Sequence, residues 1–236
     1  MSMLGAAPRQ LALALAHEES FAREDFLAGA SNADALNLIE RWPDWPDRVL
    51  ALVGPEGAGK SHLADIFAET SGARRLSARA LGETDLLGAL ATGALVVEDV
   101  AGELNERALF HLINLVREEE AWLLVTARSA PGRWTVALPD LASRLRAIPS
   151  VTLAPPDDAL LRAVLMKLFA DRQLAVDDNL IAYLVTRIER SFAAAKAAVE
   201  TLDHEALRLK RPVTRALAAE LLSGARAEAS PQGSLW

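Results

Sequence analysis

The hydrophobic positions of this chain change period along its length. Residues 49–53, VLALV, form a short unbroken apolar run of the kind that becomes a strand buried on both faces. Similar runs follow at 94–97 (ALVV), 121–127 (AWLLVTA) and 149–154 (PSVTLA). Between them the spacing turns helical. Residues 60–69 set Leu63, Ile66 and Phe67 together, and the segment opening at Asn105, a cap-type residue, sets Ala108, Leu109, Leu112, Ile113 and Val116 on one face. Strands alternating with helices predict an α/β domain, a parallel sheet covered on both faces. Pro155 and Pro156 stop the pattern. Beyond them only helical spacing recurs: Leu160, Leu161, Val164, Leu165, Leu168 and Phe169 within 157–172, then 180–188, 192–209 and a shorter segment from Thr214. These predict a small all-helical domain of about four helices. The last stretch, SGARAEASPQGSLW, has little periodicity and reads as a fraying tail.

The turn after VLALV carries chemistry. GPEGAGKS, Gly54 to Ser61, matches the G-x-x-x-x-G-K-[ST] phosphate loop and sits between a predicted strand and a predicted helix, the setting the motif requires. Glycines let backbone N–H groups point at phosphate oxygens, and the helix start adds its positive dipole end. Lys60 is placed to reach the β- and γ-phosphates and Ser61 to reach Mg²⁺. The nucleotide-binding candidates here are Gly54, Gly57, Ala58, Gly59, Lys60, Ser61 and His62. By average composition the bare pattern arises by chance in roughly one chain in a hundred of this size, and the flanking elements lower that further. The strand ALVV ends in Glu98 and Asp99, the acids a Walker B element uses to hold Mg²⁺ and orient water.

Composition narrows the classes. At 236 residues and 51% hydrophobic the chain can bury a substantial core. It has no cysteine, which excludes disulfides and, with only four histidines, argues against a dedicated zinc site. A net charge of −7 and a pI near 5.2 repel phosphate backbones, so no direct nucleic-acid binding is expected. The cluster Arg208, Lys210 and Arg211 reads either as a local basic patch or, more plainly, as a solvated helix end, where positive charge is favoured. No run approaches the eighteen or so apolar residues a membrane span needs. The apolar residues 11–16 after Arg9 are shorter than a signal h-region and are closed by His17, Glu18 and Glu19, so a cytoplasmic location is expected.

An α/β nucleotide domain followed by a helical lid is the plan of AAA+ proteins. FLAGASNADAL before the loop, GPEGAGKSHL at it and LPDLASRL late in the α/β part resemble the ATPase core of the bacterial initiator DnaA, and still more the Hda group, short DnaA relatives without the DNA-binding domain. The resemblance covers roughly residues 8 to 222, and no C-terminal helix-turn-helix is found. It implies a clamp-binding segment at 1–20, an AAA+ domain at 21–154, a helical lid at 155–222 and a flexible tail at 223–236. It also implies that Phe26 and Asn32 help enclose the base, although GASN equally reads as a Ser31 or Asn32 helix cap. In LASRL the family places its arginine finger, here Arg144, which acts in a neighbour's site. A surface charge at a helix end is the plainer reading of Arg144 and Arg146.

Against that family the cis machinery looks altered. Glu98 stands where aspartate is usual, and an acidic sensor is replaced by Thr126, Ala127 and Arg128. The lid arginine is replaced by Ala193, with Arg190 or Lys196 one turn away. At most weak intrinsic ATPase activity is expected. Near the start, QLALAL matches the sliding-clamp hexapeptide of the Hda group through Gln10, Leu11, Leu13 and Leu15. Alternate leucines suit pockets in a groove, and the glutamine amide both donates and accepts. Alternating Leu and Ala is equally a half-buried strand. The resemblance implies ADP or ATP with Mg²⁺ as cofactors, and the polymerase sliding clamp (β subunit) and DnaA as partners. It leaves homo-oligomerisation open. The function it implies is negative regulation of replication initiation. A replication adaptor or helicase-loader-like module, and a free-standing ATPase, are the alternatives.

Overall fold

The computed structural model describes residues 22–100 and 104–228. The QLALAL segment lies outside them. Five strands form one parallel sheet in the order β2-β3-β4-β1-β5. The interior strand β1 (Val49–Val53) is wholly buried, pairing with β4 (Trp122–Ala127) from Val49 opposite Leu123 and with β5 (Ser150–Thr152) from Ala51 opposite Ser150. β3 (Ala94–Glu98) pairs with β4, and β2 (Arg74–Ser77) closes one edge.

Alternation along β1 divides the core, because successive side chains point to opposite faces. Leu50 and Leu52 meet α1 (Ala33–Glu40) and α2 (Lys60–Ser71), while Val49, Ala51 and Val53 meet α3 (Leu86–Ala89), α4 (Glu106–Glu118) and α5 (Pro139–Ala147). α2 is anchored far from its loop by Phe67, stacked on Trp45 at 4.8 Å and edge-on to Trp42 at 6.0 Å. Burying such a ring contributes about 1.5–3 kcal/mol.

After β5 four helices pack around a core of their own: α6 (Asp158–Asp171), α7 (Asp178–Val185), α8 (Phe192–Leu209) and α9 (Arg215–Glu228). Asp157, Asp177 and Ser191 cap the first three, each accepting from the N–H three residues on at 2.7, 2.8 and 3.1 Å. α9 runs to Glu228, six residues beyond the predicted end of the lid at 222. β2 was not predicted, since RRLS has three exposed residues in four and no apolar run to reveal it. No helix among the described residues is long and apolar enough to cross a membrane.

Candidate nucleotide-binding site

β1 ends between β4 and β5, and the loop from Gly54 to Gly59 carries the chain from its C-terminal edge into α2. Gly57 and Gly59 adopt φ of 71° and 92°, left-handed values at which a side chain is strained. Gly54 answers a different need: a Cβ there would stand 2.6 Å from the Leu153 carbonyl oxygen. Ala58 is buried in the core below the loop. Lys60, only 8% exposed, donates from Nζ to the carbonyls of Gly54 at 2.9 Å and Pro55 at 2.8 Å. Two of its three ammonium donors hold the loop, and one remains for a ligand. Burial lowers its pKa; Asp99 opposes this, Arg128 adds to it and Glu56 opposes it.

The acids after β3 part company. Asp99 lines the cleft at φ 55°, a left-handed conformation that Asp tolerates better than most residues. Its N–H donates to Thr126 Oγ1 at 3.0 Å, and Val100 N–H donates to Thr126 O at 2.9 Å, so buried Thr126 fixes the turn. Glu98 is instead drawn to the sheet edge by Arg75 of β2, whose Nε donates to it at 2.9 Å, while Arg75 Nη1 pairs with Asp65 of α2. Glu98 is not among the cleft residues. Of the three Mg²⁺ candidates the structure therefore brings Ser61 and Asp99 together and leaves Glu98 out, because a guanidinium two strand positions away claims its carboxylate.

Phe26, Leu27 and Phe192 add apolar surface to the cleft. Phe26 is buried and meets His62 edge-on at 5.1 Å. Asn32 occupies the N-cap position of α1 but does not cap it. Its Oδ1 accepts from Gly29 N–H at 2.8 Å and its Nδ2 donates to Leu27 O at 3.0 Å, shaping the 27–32 loop. Helices α6 and α8 cover the cleft. Phe192 N–H donates to Gly57 O at 2.9 Å, and a Cβ on Gly59 would come within 3.2 Å of the Phe192 ring. Lys167 of α6 bridges Asp25 at 2.7 Å and Asp171 at 2.9 Å, tying the lid to the segment before Phe26, and its pKa is raised chiefly by the bond to Asp25. The enclosed volume is about 1220 Å³, ample for a nucleotide.

Of the lid positions weighed from sequence, Ala193 and the cation Lys196 line the cleft, while Arg190 pairs with Asp158 at 2.8 Å and does not. Arg79, Arg128, Lys167 and Arg172 also line it. They are brought there by the turn after β2, the end of β4, and α6 with its C-cap, and no local motif marks them. Arg144, on α5, is absent from the cleft. Its guanidinium lies 5.1 Å over the Phe110 ring, and it forms no ion pair among the described residues. Arg208 and Arg211 pair with Glu205 and Glu220, at 2.6 and 3.2 Å.

No family model matches the chain. Among solved structures, domain III of the Thermotoga maritima replication initiation protein DnaA aligns at a TM-score of 0.72 and 16% identity, over 86% of this chain and 96% of that one. AMPPCP-bound DnaA from Aquifex aeolicus aligns at 0.61 and 18%, over 76% of this chain and 63% of that one. The Thermotoga maritima RuvB Holliday junction branch migration motor aligns at 0.67 and 17%, over 86% and 72%. The fold is that of an AAA+ module. In this AAA+ fold the phosphate loop lies where the strand order reverses, between β4 and β5, the crevice in which open α/β sheets take their ligands.

Proposed function

We propose that this chain is a nucleotide-binding regulator of replication initiation that acts on DnaA in trans. The observation that carries this reading is the separation of Arg144 from its own cleft, combined with the withdrawal of Glu98 from the phosphate loop. ADP or ATP would lie between the loop and the lid, its phosphates on the loop N–H groups and Lys60, its base toward Phe26. Ser61 and Asp99 offer a hydroxyl and a carboxylate, a donor pair that suits Mg²⁺ when phosphate oxygens complete its shell. Bound there, the ion would neutralise charge on the phosphates. With Glu98 engaged by Arg75, intrinsic hydrolysis is weak. Arg144 instead enters the ATP site of DnaA and offsets the charge developing on the transferred phosphoryl group. Residues 10–15 dock on the sliding clamp, in the cytoplasm where clamp and initiator meet.

The test mixes DNA-loaded clamp, ATP-bound DnaA and this protein, and follows phosphate release. The unaltered protein is expected to raise hydrolysis, Arg144→Ala to lower that stimulation at least tenfold, and Gln10→Ala to abolish the clamp dependence. Hydrolysis unchanged by the unaltered protein overturns the reading. Rapid turnover by this protein alone, lost in Lys60→Ala, would instead make it a free-standing ATPase.

A further inference from the structure

The lid helices follow β5 through residues 153–157, which include Pro155 and Pro156. Ala154 N–H donates to Ser31 O at 3.0 Å, so this linker is pinned to the 27–32 loop. α6 begins beside the same loop, since a Cβ on Gly29 would stand 3.0 Å from Leu160 Cδ2. Lys167 lies two turns further along α6, about 10 Å by helix rise, so a swing of the helix about its linker moves Lys167 further than Leu160.

Out on that lever Lys167 holds two acids that belong to different bodies. Asp25, at 2.7 Å, ends a single 3-10 turn, Arg23–Asp25, of the sheet domain. The turn is fixed from two sides: Ala22 O meets His62 Nε2 of α2 at 3.1 Å, and Arg23 pairs with Glu40 of α1. Asp171, at 2.9 Å, is one turn along α6 itself and travels with the lysine. When α6 swings out, the bond to Asp25 breaks, but Lys167 keeps Asp171 and Asp25 becomes solvated. No charge is left buried and unpaired, the condition that makes breaking an ion pair severe. In the closed state the two carboxylates flank one ammonium and repel each other, so Asp171 opposes Asp25. The contact is thus a reversible tie. We infer that the Asp25–Lys167 pair is a latch on the lid, whose opening gates passage into and out of the cleft, and that Asp171 eases its release. This rests on the reading of the cleft as a nucleotide site.

The experiment follows a fluorescent ADP analogue with Mg²⁺ on the full chain by stopped flow, recording capture on mixing and release on chasing with unlabelled ADP. It compares unaltered protein, Asp25→Asn, Lys167→Met, the double variant and Asp171→Asn, with thermal melts to confirm folding. Asp25→Asn and Lys167→Met are each expected to quicken both capture and release by about 3–10-fold, between the effect of an exposed pair and that of a charged hydrogen bond. Affinity should then move less than either rate, which separates a latch from a ligand contact. The double variant is expected to be no faster than the faster single one, because both changes remove the same pair. Asp171→Asn is expected to slow release. Unchanged rates in Asp25→Asn overturn the inference alone, and so does slower release, which would mean that the freed Lys167 binds the ligand. Should Lys167→Met fail to fold, Asp25→Asn tests the same pair from the other side. Failure of the unaltered protein to bind the analogue overturns the nucleotide reading of the cleft and this inference with it.

Discussion

Lys60 is held by the loop it serves, and its buried ammonium has a measurable consequence. Burial sets its folded pKa below 10.5, Asp99 and Glu56 opposing and Arg128 assisting. Between that lowered value and 10.5 the unfolded chain binds the extra proton, so this residue's contribution to stability rises with pH across the window. In Lys60→Met the contribution is missing. The unfolding free energy of the unaltered protein minus that of Lys60→Met, from urea titrations, is therefore expected to increase as pH climbs toward 10.5. A difference that stays level from pH 7 to 10.5 refutes the assignment. The residues of the loop were readable in sequence because their spacing is local. Glu98 was not, because the guanidinium that removes it belongs to Arg75, 23 positions earlier on a strand with no apolar signature. Thr126 read as a missing acidic sensor, and only the fold gives it the Asp99 N–H to hold.

Among elements, β1, β3, β4 and β5 were legible as apolar runs, and α8 was legible to the residue, because burial on both faces or a long helical stripe writes itself into spacing. β2 was hidden by its edge position, and α9 outlasts its predicted end because alanine-rich RALAAELLSGARAE favours helix without a strong apolar stripe. α8 matters most to the cleft. Its start is fixed by Ser191, buried at 7% exposure, whose hydroxyl accepts from Ala194 N–H. Ser191→Ala is expected to cost about 1 kcal/mol through loss of the cap. A chain of this size should then melt about 2–4 °C lower by calorimetry. Nucleotide affinity is expected to fall with it, since the same turn abuts Gly57. An unchanged melting temperature would show that the cap adds nothing.

At the scale of the whole molecule the function proposed above makes the cleft and α5 separate working faces. The cleft is closed by α6 and α8, whereas Arg144 stands on α5, steadied by the Phe110 ring of α4. The Phe110 ring is half-buried, and a cation over such a ring contributes at least about 0.5–1 kcal/mol, enough to bias one guanidinium position by two- to five-fold. Phe110→Ala is therefore expected to lower stimulation of DnaA by roughly that factor while leaving nucleotide affinity alone, and an equal loss of both would merge the two faces. The acidic net charge of −7 means that any association with DNA-bound partners would come from specific contacts and not from the overall field. The Phe192 N–H bond to Gly57 O adds a kinetic property. Because the lid helix begins on the phosphate loop itself, any swing of α8 must break this bond and is felt at the loop. For a nucleotide held there, exchange is then expected to quicken whenever that bond opens, so one main-chain contact would couple the lid to how long the occupant stays.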